Sequence, residues 1–212
     1  MSYSKDWLAI LENALQKQAF SFTTEMEAIN FRQAAVLILF WDDGGQPATL
    51  VTVRAATMPT HAGEVSFPGG GLHPGEDHIS AALREAEEEV GLDRSSVRVL
   101  GRLDDAWSGA GFSLAPIVAY SDIEPTFRTS REVERVITMN LHTEAEFLER
   151  TITKFNSEHV EPIIRAKGIE VVGLTADLLT EALEALRGER SNRGERRFHY
   201  FKKFAKPRKI SS

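Results

Sequence analysis

Gly70-Gly71-Leu72-His73-Pro74-Gly75-Glu76-Asp77-His78-Ile79-Ser80-Ala81-Ala82-Leu83-Arg84-Glu85-Ala86-Glu87-Glu88-Glu89-Val90-Gly91-Leu92 is the stretch that decides the fold. A glycine-rich turn opens it, a helix is predicted over 77–90, and Gly91 supplies the helix C-cap. At 100° per residue, Ile79, Ala82, Ala86 and Val90 share one face. Glu85, Glu88 and Glu89 share an adjacent face within about 100° of arc. Three crowded carboxylates repel one another and destabilise an isolated helix. The arrangement makes sense where a divalent cation neutralises them, and hard oxygen donors of this kind suit Mg²⁺ or Mn²⁺. A solvated acidic helix face is the alternative that the glutamates alone leave open.

Outward from this stretch, the pattern alternates strands with separated helices. Residues 33–41 (QAAVLILFW) read as a buried strand, and Asp42-Asp43-Gly44-Gly45 as a turn. Residues 48–54 then form the partner strand of a hairpin. Further strands are expected at 97–104, 114–120, 133–139 and 170–173. Helices are expected at 4–18 and 174–187, with a short one at 143–149. This order indicates an α+β or α/β domain around a mixed sheet. Three segments follow: an N-terminal helical extension over 1–32, the main domain over 33–187, and a basic tail over 188–212.

The composition narrows the chemistry. There is no cysteine, so no disulfide, thiolate nucleophile or thiolate metal site is available. No apolar run has the roughly 20 residues of a membrane span, and residues 1–20 have no signal-peptide core, so a soluble cytoplasmic protein is expected. The net charge is −6, yet residues 187–212 carry ten Lys or Arg and two Glu, leaving −14 on the remaining 186 residues. An acidic body of this kind gathers cations and argues against general nucleic-acid binding.

The quoted stretch resembles the Nudix signature at every defined position: Gly70, Glu76, Arg84, Glu85, Ala86, Glu88, Glu89, Gly91 and Leu92. The resemblance implies an α/β/α sandwich with a mixed sheet and a loop–helix–loop site. It also implies Mg²⁺- or Mn²⁺-dependent hydrolysis of a nucleoside diphosphate linked to another group. By that likeness Glu85, Glu88 and Glu89 bind metal, and the carbonyl of Gly69 completes the shell. Glu76 pairs with Arg84 to shape the loop, and Arg84 orients a carboxylate. A box glutamate or Glu132 takes the proton from the attacking water.

Upstream, Leu50, Thr52, Arg54, His61, Gly63, Val65, Phe67, Pro68, Gly69 and Gly70 resemble the extended motif of the coenzyme A diphosphatase branch. Val51 and Ala55 depart from it, and Ala55 lacks the serine hydroxyl that the branch carries. Weaker likenesses continue to about residue 187 and stop before the tail. The implied reaction splits coenzyme A or an acyl derivative into adenosine 3′,5′-bisphosphate and a 4′-phosphopantetheine product. Arg54, His61 and Phe67 are the substrate-contact candidates, Arg54 and His61 through their polar groups. Arg54 can equally be a strand-end ion pair, and His61 a residue that shapes its loop. ADP-ribose, a nucleotide sugar or a dinucleotide would use the same chemistry in a different pocket. A non-catalytic nucleotide- or RNA-binding module would not need its metal ligands, and here all three are present.

Two features remain open. Trp107 and Phe112, in loop 105–113, can stack on an adenine or close a core edge. The tail, with Phe198, Tyr200, Phe201 and Phe204 among its basic residues, can be a solvated terminus. It can also dock on the acidic body or on a second subunit of a homodimer, or contact an anionic ligand.

Overall fold

The computed structural model describes residues 3, 5–16, 19, 21–22, 30–154, 157–189 and 191–204. Its centre is a mixed sheet around β1 (Arg32–Asp43). β1 pairs antiparallel with β2 (Gln46–Arg54), through the turn at Gly44 and Gly45, and parallel with β7 (Phe112–Ser121). It also pairs with β4 (Gly69–Gly71). Outside these, β3 (Val65–Ser66) and β8 (Val133–Asn140) pair with β2, while β5 (Val97–Arg102) and β6 (Ala106–Ser108) pair with β7.

β1 is apolar on both faces because both are covered. Ala35, Leu37, Leu39 and Trp41 pack with Ala82, Ala86 and Val90 of α2 (His78–Val90). Val36, Ile38 and Phe40 face the opposite layer, made of α1 (Trp7–Leu15) and α3 (Gly173–Leu186). Alternation of period two in the strand thus feeds two helical layers, giving the expected α/β/α sandwich. Ile79, placed by periodicity on the core face of α2, is 44% exposed. It sits in the first turn of the helix, and the buried position there is Ala81.

The region after β8 departs from the sequence expectation. The predicted short helix at 143–149 is instead a turn and then β9 (Ala145–Lys154), which pairs with β10 (Ser157–Ala166) and through it with β11 (Ile169–Val171). The turn is fixed locally. The Asn140 side chain accepts from the backbone N–H groups of His142 and Thr143, so its amide oxygen replaces the carbonyls that a helix would supply. Register is then set by cross-strand pairs such as Arg150 opposite Glu161.

Residues 193–202 are docked on the body rather than solvated, as part of α4 (Arg193–Phe204). Two arginines one turn apart hold it to α3. Arg193 pairs with Asp177 (2.6 Å) and Glu184 (2.9 Å), and Arg197 pairs with Asp177 (2.7 Å) and Glu181. Arg197 also donates to the carbonyls of Asp104 and Asp105, both at 3.1 Å. Phe198 and Phe201 pack with Phe22, Phe31 and Trp107. A Cβ on Gly194 would lie 2.3 Å from the Asp104 Cβ, so glycine permits this approach of helix to loop. Trp107 is part of this aromatic cluster, and its indole N–H donates to the Arg197 carbonyl at 3.2 Å. The Phe112 ring lies under the Arg32 guanidinium, 4.1 Å from centroid to Cζ. Parts of the expected 4–18 helix, the Phe204 side chain and the stretch 209–212 lie outside the described residues. No helix among the described residues is long and apolar enough to cross a membrane.

Candidate metal-dependent active site

α2 is bounded by its own chemistry. Asp77 caps the N-terminus, accepting from the Ser80 backbone N–H at 2.9 Å and from its hydroxyl at 2.8 Å. At the C-terminus Gly91 adopts φ 67°, and the N–H groups of Gly91 and Leu92 close back on Glu87 and Ala86. A Cβ at Gly91 would also meet the Arg128 side chain at 2.5 Å. Arg128, on a distant loop, thus lies against Gly91 and donates its backbone N–H to the Val90 carbonyl at 2.9 Å.

The loop before the helix is pinned by one arginine. Arg84 grips both oxygens of Glu76, Nε to Oε1 and Nη2 to Oε2, each at 2.9 Å, and donates to the Gly71 carbonyl at 3.1 Å. Glu76 in turn accepts from the His73 N–H at 2.9 Å. Nη1 of Arg84 reaches Glu85 at 2.8 Å and Glu88 at 3.4 Å. One guanidinium thus ties the loop to two of the three carboxylates. The hydrogen bond from Arg84 and that from His73 hold the Glu76 carboxyl at about 2, below its ordinary 4.5.

A pH-dependent stability contribution follows. A depressed carboxyl stabilises the fold above its unfolded value and loses that contribution as pH falls toward the folded value. Glu76→Gln should melt below wild type above about pH 5, and the two melting curves should converge as pH falls from 4.5 toward 2. A melting-temperature series against pH measures this, and a gap that persisted at pH 2 would contradict it.

Glu89 is placed differently from its neighbours. It is largely buried, and its Oε2 accepts from the Gly69 N–H at 3.2 Å. Burial, together with the negative charges of Glu85 and Glu132, pushes its carboxyl up to about 7, while the Gly69 N–H and Arg54 act in the other direction. Glu132 and Arg54 thus lie within electrostatic reach of Glu89. Arg54 and Glu132 approach each other to 3.4 Å at the end of β2, and the Arg54 Nε donates to the Thr60 carbonyl.

The remaining candidates separate from this centre. His61 has φ 60° and contacts Glu64 at 2.8 Å in an exposed loop. Phe67 is 3% exposed and packs in the core with α1 and α3, so its ring anchors the β3–β4 segment instead of facing a ligand. Gly69 meets the glutamates through its N–H. A Cβ on Gly70 would fall 2.4 Å from the Glu85 Oε1, so this glycine makes room for the carboxylate. Gly70→Ala should push Glu85 aside and lower turnover by about 10²-fold, since small displacements of catalytic groups have effects of that size. Near-normal kcat in a folded Gly70→Ala protein would show that Glu85 is not needed where it lies.

Do these residues suit a divalent cation? Among the described residues no three His, Asp or Glu side chains are grouped closely enough to hold a metal ion together. An open set fits Mg²⁺, which binds through one or two carboxylates and retains water and substrate oxygens. The donors here are oxygens only, and beside the burial that chiefly raises the Glu89 carboxyl, the negative charges of Glu85 and Glu132 act on it in the same direction.

The NUDIX domain model matches residues 31–160. The proteins described as "Uncharacterized Nudix hydrolase NudL" from Escherichia coli strains K12 and O6:H1 are each 42% identical over 117 residues, 54% of this chain. The chain spans 60% of the length of these relatives. Among solved structures, a MutT/nudix family protein from Enterococcus faecalis covers 82% of this chain and 71% of its own, at TM-score 0.49 and 15% identity. A C. elegans Ap4A hydrolase covers 51% and 80%, at TM-score 0.45 and 23% identity.

Proposed function

We propose, from the premise that this chain belongs to the NUDIX domain family, that it hydrolyses the diphosphate bond of coenzyme A or an acyl-coenzyme A. The observation that carries the chemistry is the carboxylate edge of α2. There Glu85 and Glu88 are held by Arg84, and buried Glu89 is held by Gly69. The substrate reading is supported by the upstream residues Leu50 to Gly70, among them Arg54, whose charge acts on Glu89.

Glu85, Glu88 and Glu89 would hold Mg²⁺ or Mn²⁺. When bound, the cation would offset charge on the diphosphate oxygens and acidify a water molecule. The chain supplies the rest. Arg84 and Gly69 fix the carboxylates so that they need not reorganise during the reaction. Water places its oxygen on one phosphorus, the bridging oxygen departs with the second phosphate, and the water's proton goes to a carboxylate. A box glutamate or Glu132 would take that proton; Glu132 acts electrostatically on Glu89 and reaches Arg54 at 3.4 Å. Arg54 is the cationic side chain nearest these groups for a substrate phosphate, and reaching it would exchange the Glu132 contact.

A hydrolysis panel tests this reading. Coenzyme A, an acyl-coenzyme A, ADP-ribose, a nucleotide sugar and a dinucleotide are each offered with Mg²⁺ and with Mn²⁺, and products are identified by mass. Preferred release of adenosine 3′,5′-bisphosphate is the expected result. Preference for another diphosphate would retain the chemistry and reject the substrate.

A further inference from the structure

A groove of about 700 Å³ lies between α4, the N-terminal end of α3 and the β9–β10 hairpin. Small-molecule sites run roughly 300–1,000 Å³, so its size is suitable. None of residues 69–92 is among its lining residues, which places it apart from the carboxylate edge of α2.

Its lining combines aromatic, aliphatic and charged groups. Trp107 and Tyr200 stack with centroids 6.1 Å apart and planes at 27°, and His159 meets Tyr200 edge-on at 5.5 Å. Leu174 and Val160, the latter 62% exposed, add aliphatic surface. Three arginines line the groove, but their charges are not equally available. Arg193 and Arg197 are committed to Asp177, Glu181 and Glu184. The Arg196 guanidinium has no hydrogen bond or ion pair among the described residues. His159 Nε2 is buried and has no hydrogen-bond partner among them.

We propose that this groove binds a nucleotide. The base lies on the Trp107–Tyr200 surface, an arrangement that tolerates any base because each has a π-face. The phosphate meets Arg196. Exposed Glu158 can accept from ribose hydroxyls. Among the described residues Arg196 is the lining arginine left uncommitted, and with Glu149 and Glu158 on the same lining one phosphate is favoured over a polyanion. The nucleotide can arrive free or as the nucleotide half of a diphosphate substrate.

The test is a titration with adenosine 5′-monophosphate in the presence of chelator, followed by tryptophan fluorescence. Trp7 and Trp41 are fully buried and Trp107 is not, so the ligand-dependent signal comes from the groove. A saturable change is expected, weakened about tenfold or more in Arg196→Ala, the loss that accompanies removal of a charge-assisted hydrogen bond. Tyr200→Ala should weaken it similarly. Should Tyr200→Ala melt early, exposed Arg196→Ala carries the test alone. Adenosine and inorganic phosphate, offered separately, should each bind more weakly than the nucleotide. No saturable change into the millimolar range, or unaltered binding by Arg196→Ala, overturns the proposal. The titration requires no turnover, so it can fail while the hydrolase reading stands. For a nucleotide site that passes, the Arg196→Ala kinetics identify the source. A raised KM at constant kcat assigns the groove to the substrate's nucleotide half, and an unchanged KM assigns it to free nucleotide.

Discussion

Glu89→Gln is expected to lower turnover by about 10²–10⁴-fold, the range associated with loss of a positioned acid or base, without unfolding the protein. The side chain is nearly isosteric, and its amide oxygen can still accept from the Gly69 N–H that Glu89 now uses. Burial already biases this carboxyl toward its neutral form, so an uncharged amide is easily accommodated. What the substitution removes is a negative charge on the carboxylate edge of α2, within electrostatic reach of Glu85 and Glu132. Glu88→Gln should act in the same direction through a different route. Glu88 is 59% exposed at its side chain and packs little, so its loss reports on charge, through metal binding and the 3.4 Å contact with Arg84, more than on packing. Steady-state kinetics beside a melting curve separates the two effects. Near-normal kcat in both variants would remove the metal assignment.

Arg197→Ala should be the most damaging single change to the docked C-terminal helix, destabilising the protein by about 3–5 kcal/mol. The arginine is almost entirely buried and serves Asp177, Glu181 and two backbone carbonyls. Removing it leaves Glu181 as a buried carboxylate whose strongest remaining partner is the Asp104 N–H at 3.0 Å. Burial already raises the Glu181 carboxyl even with Arg197 in place, and Arg197 acts to lower it. Without Arg197 the rise becomes larger. A raised carboxyl favours the folded state at low pH and opposes it as pH climbs past the ordinary carboxylate range. The deficit of Arg197→Ala should therefore widen with increasing pH. Adding Glu181→Met should recover part of the loss, because it replaces an unpaired buried charge with apolar volume. A deficit that is independent of pH and unrelieved by the second substitution would show that packing, not charge, holds α4.

The carboxylate edge of α2 was legible because several local signals agree. Asp77 and Gly91 bracket the helix, and Glu85, Glu88 and Glu89 follow its period. What periodicity could not give was the division of labour among them. Glu89 is buried against Gly69 because β4 crosses that part of the helix, and β4 is only three residues long. Ile79 illustrates the same limit, since an apolar residue in the first turn can project past the sheet. Phe67 sits in a glycine- and proline-bounded segment that looks like a ligand loop, yet its ring supplies core volume. The β9–β10 hairpin was hidden because its segments are rich in charge, and pairs such as Arg150 with Glu161 become favourable only after the strands meet. The docking of α4 depends on arginines spaced one turn apart matching acids on α3, a complementarity that neither helix displays alone.

The most direct test of the central claim is the rate of adenosine 3′,5′-bisphosphate release from coenzyme A. It is measured in parallel for wild type with Mg²⁺, wild type with chelator, and Glu88→Gln with Mg²⁺. Turnover in the first and its near-abolition in the other two is the expected result. Wild-type rates in chelator or in Glu88→Gln would contradict a metal centre on the carboxylates of α2.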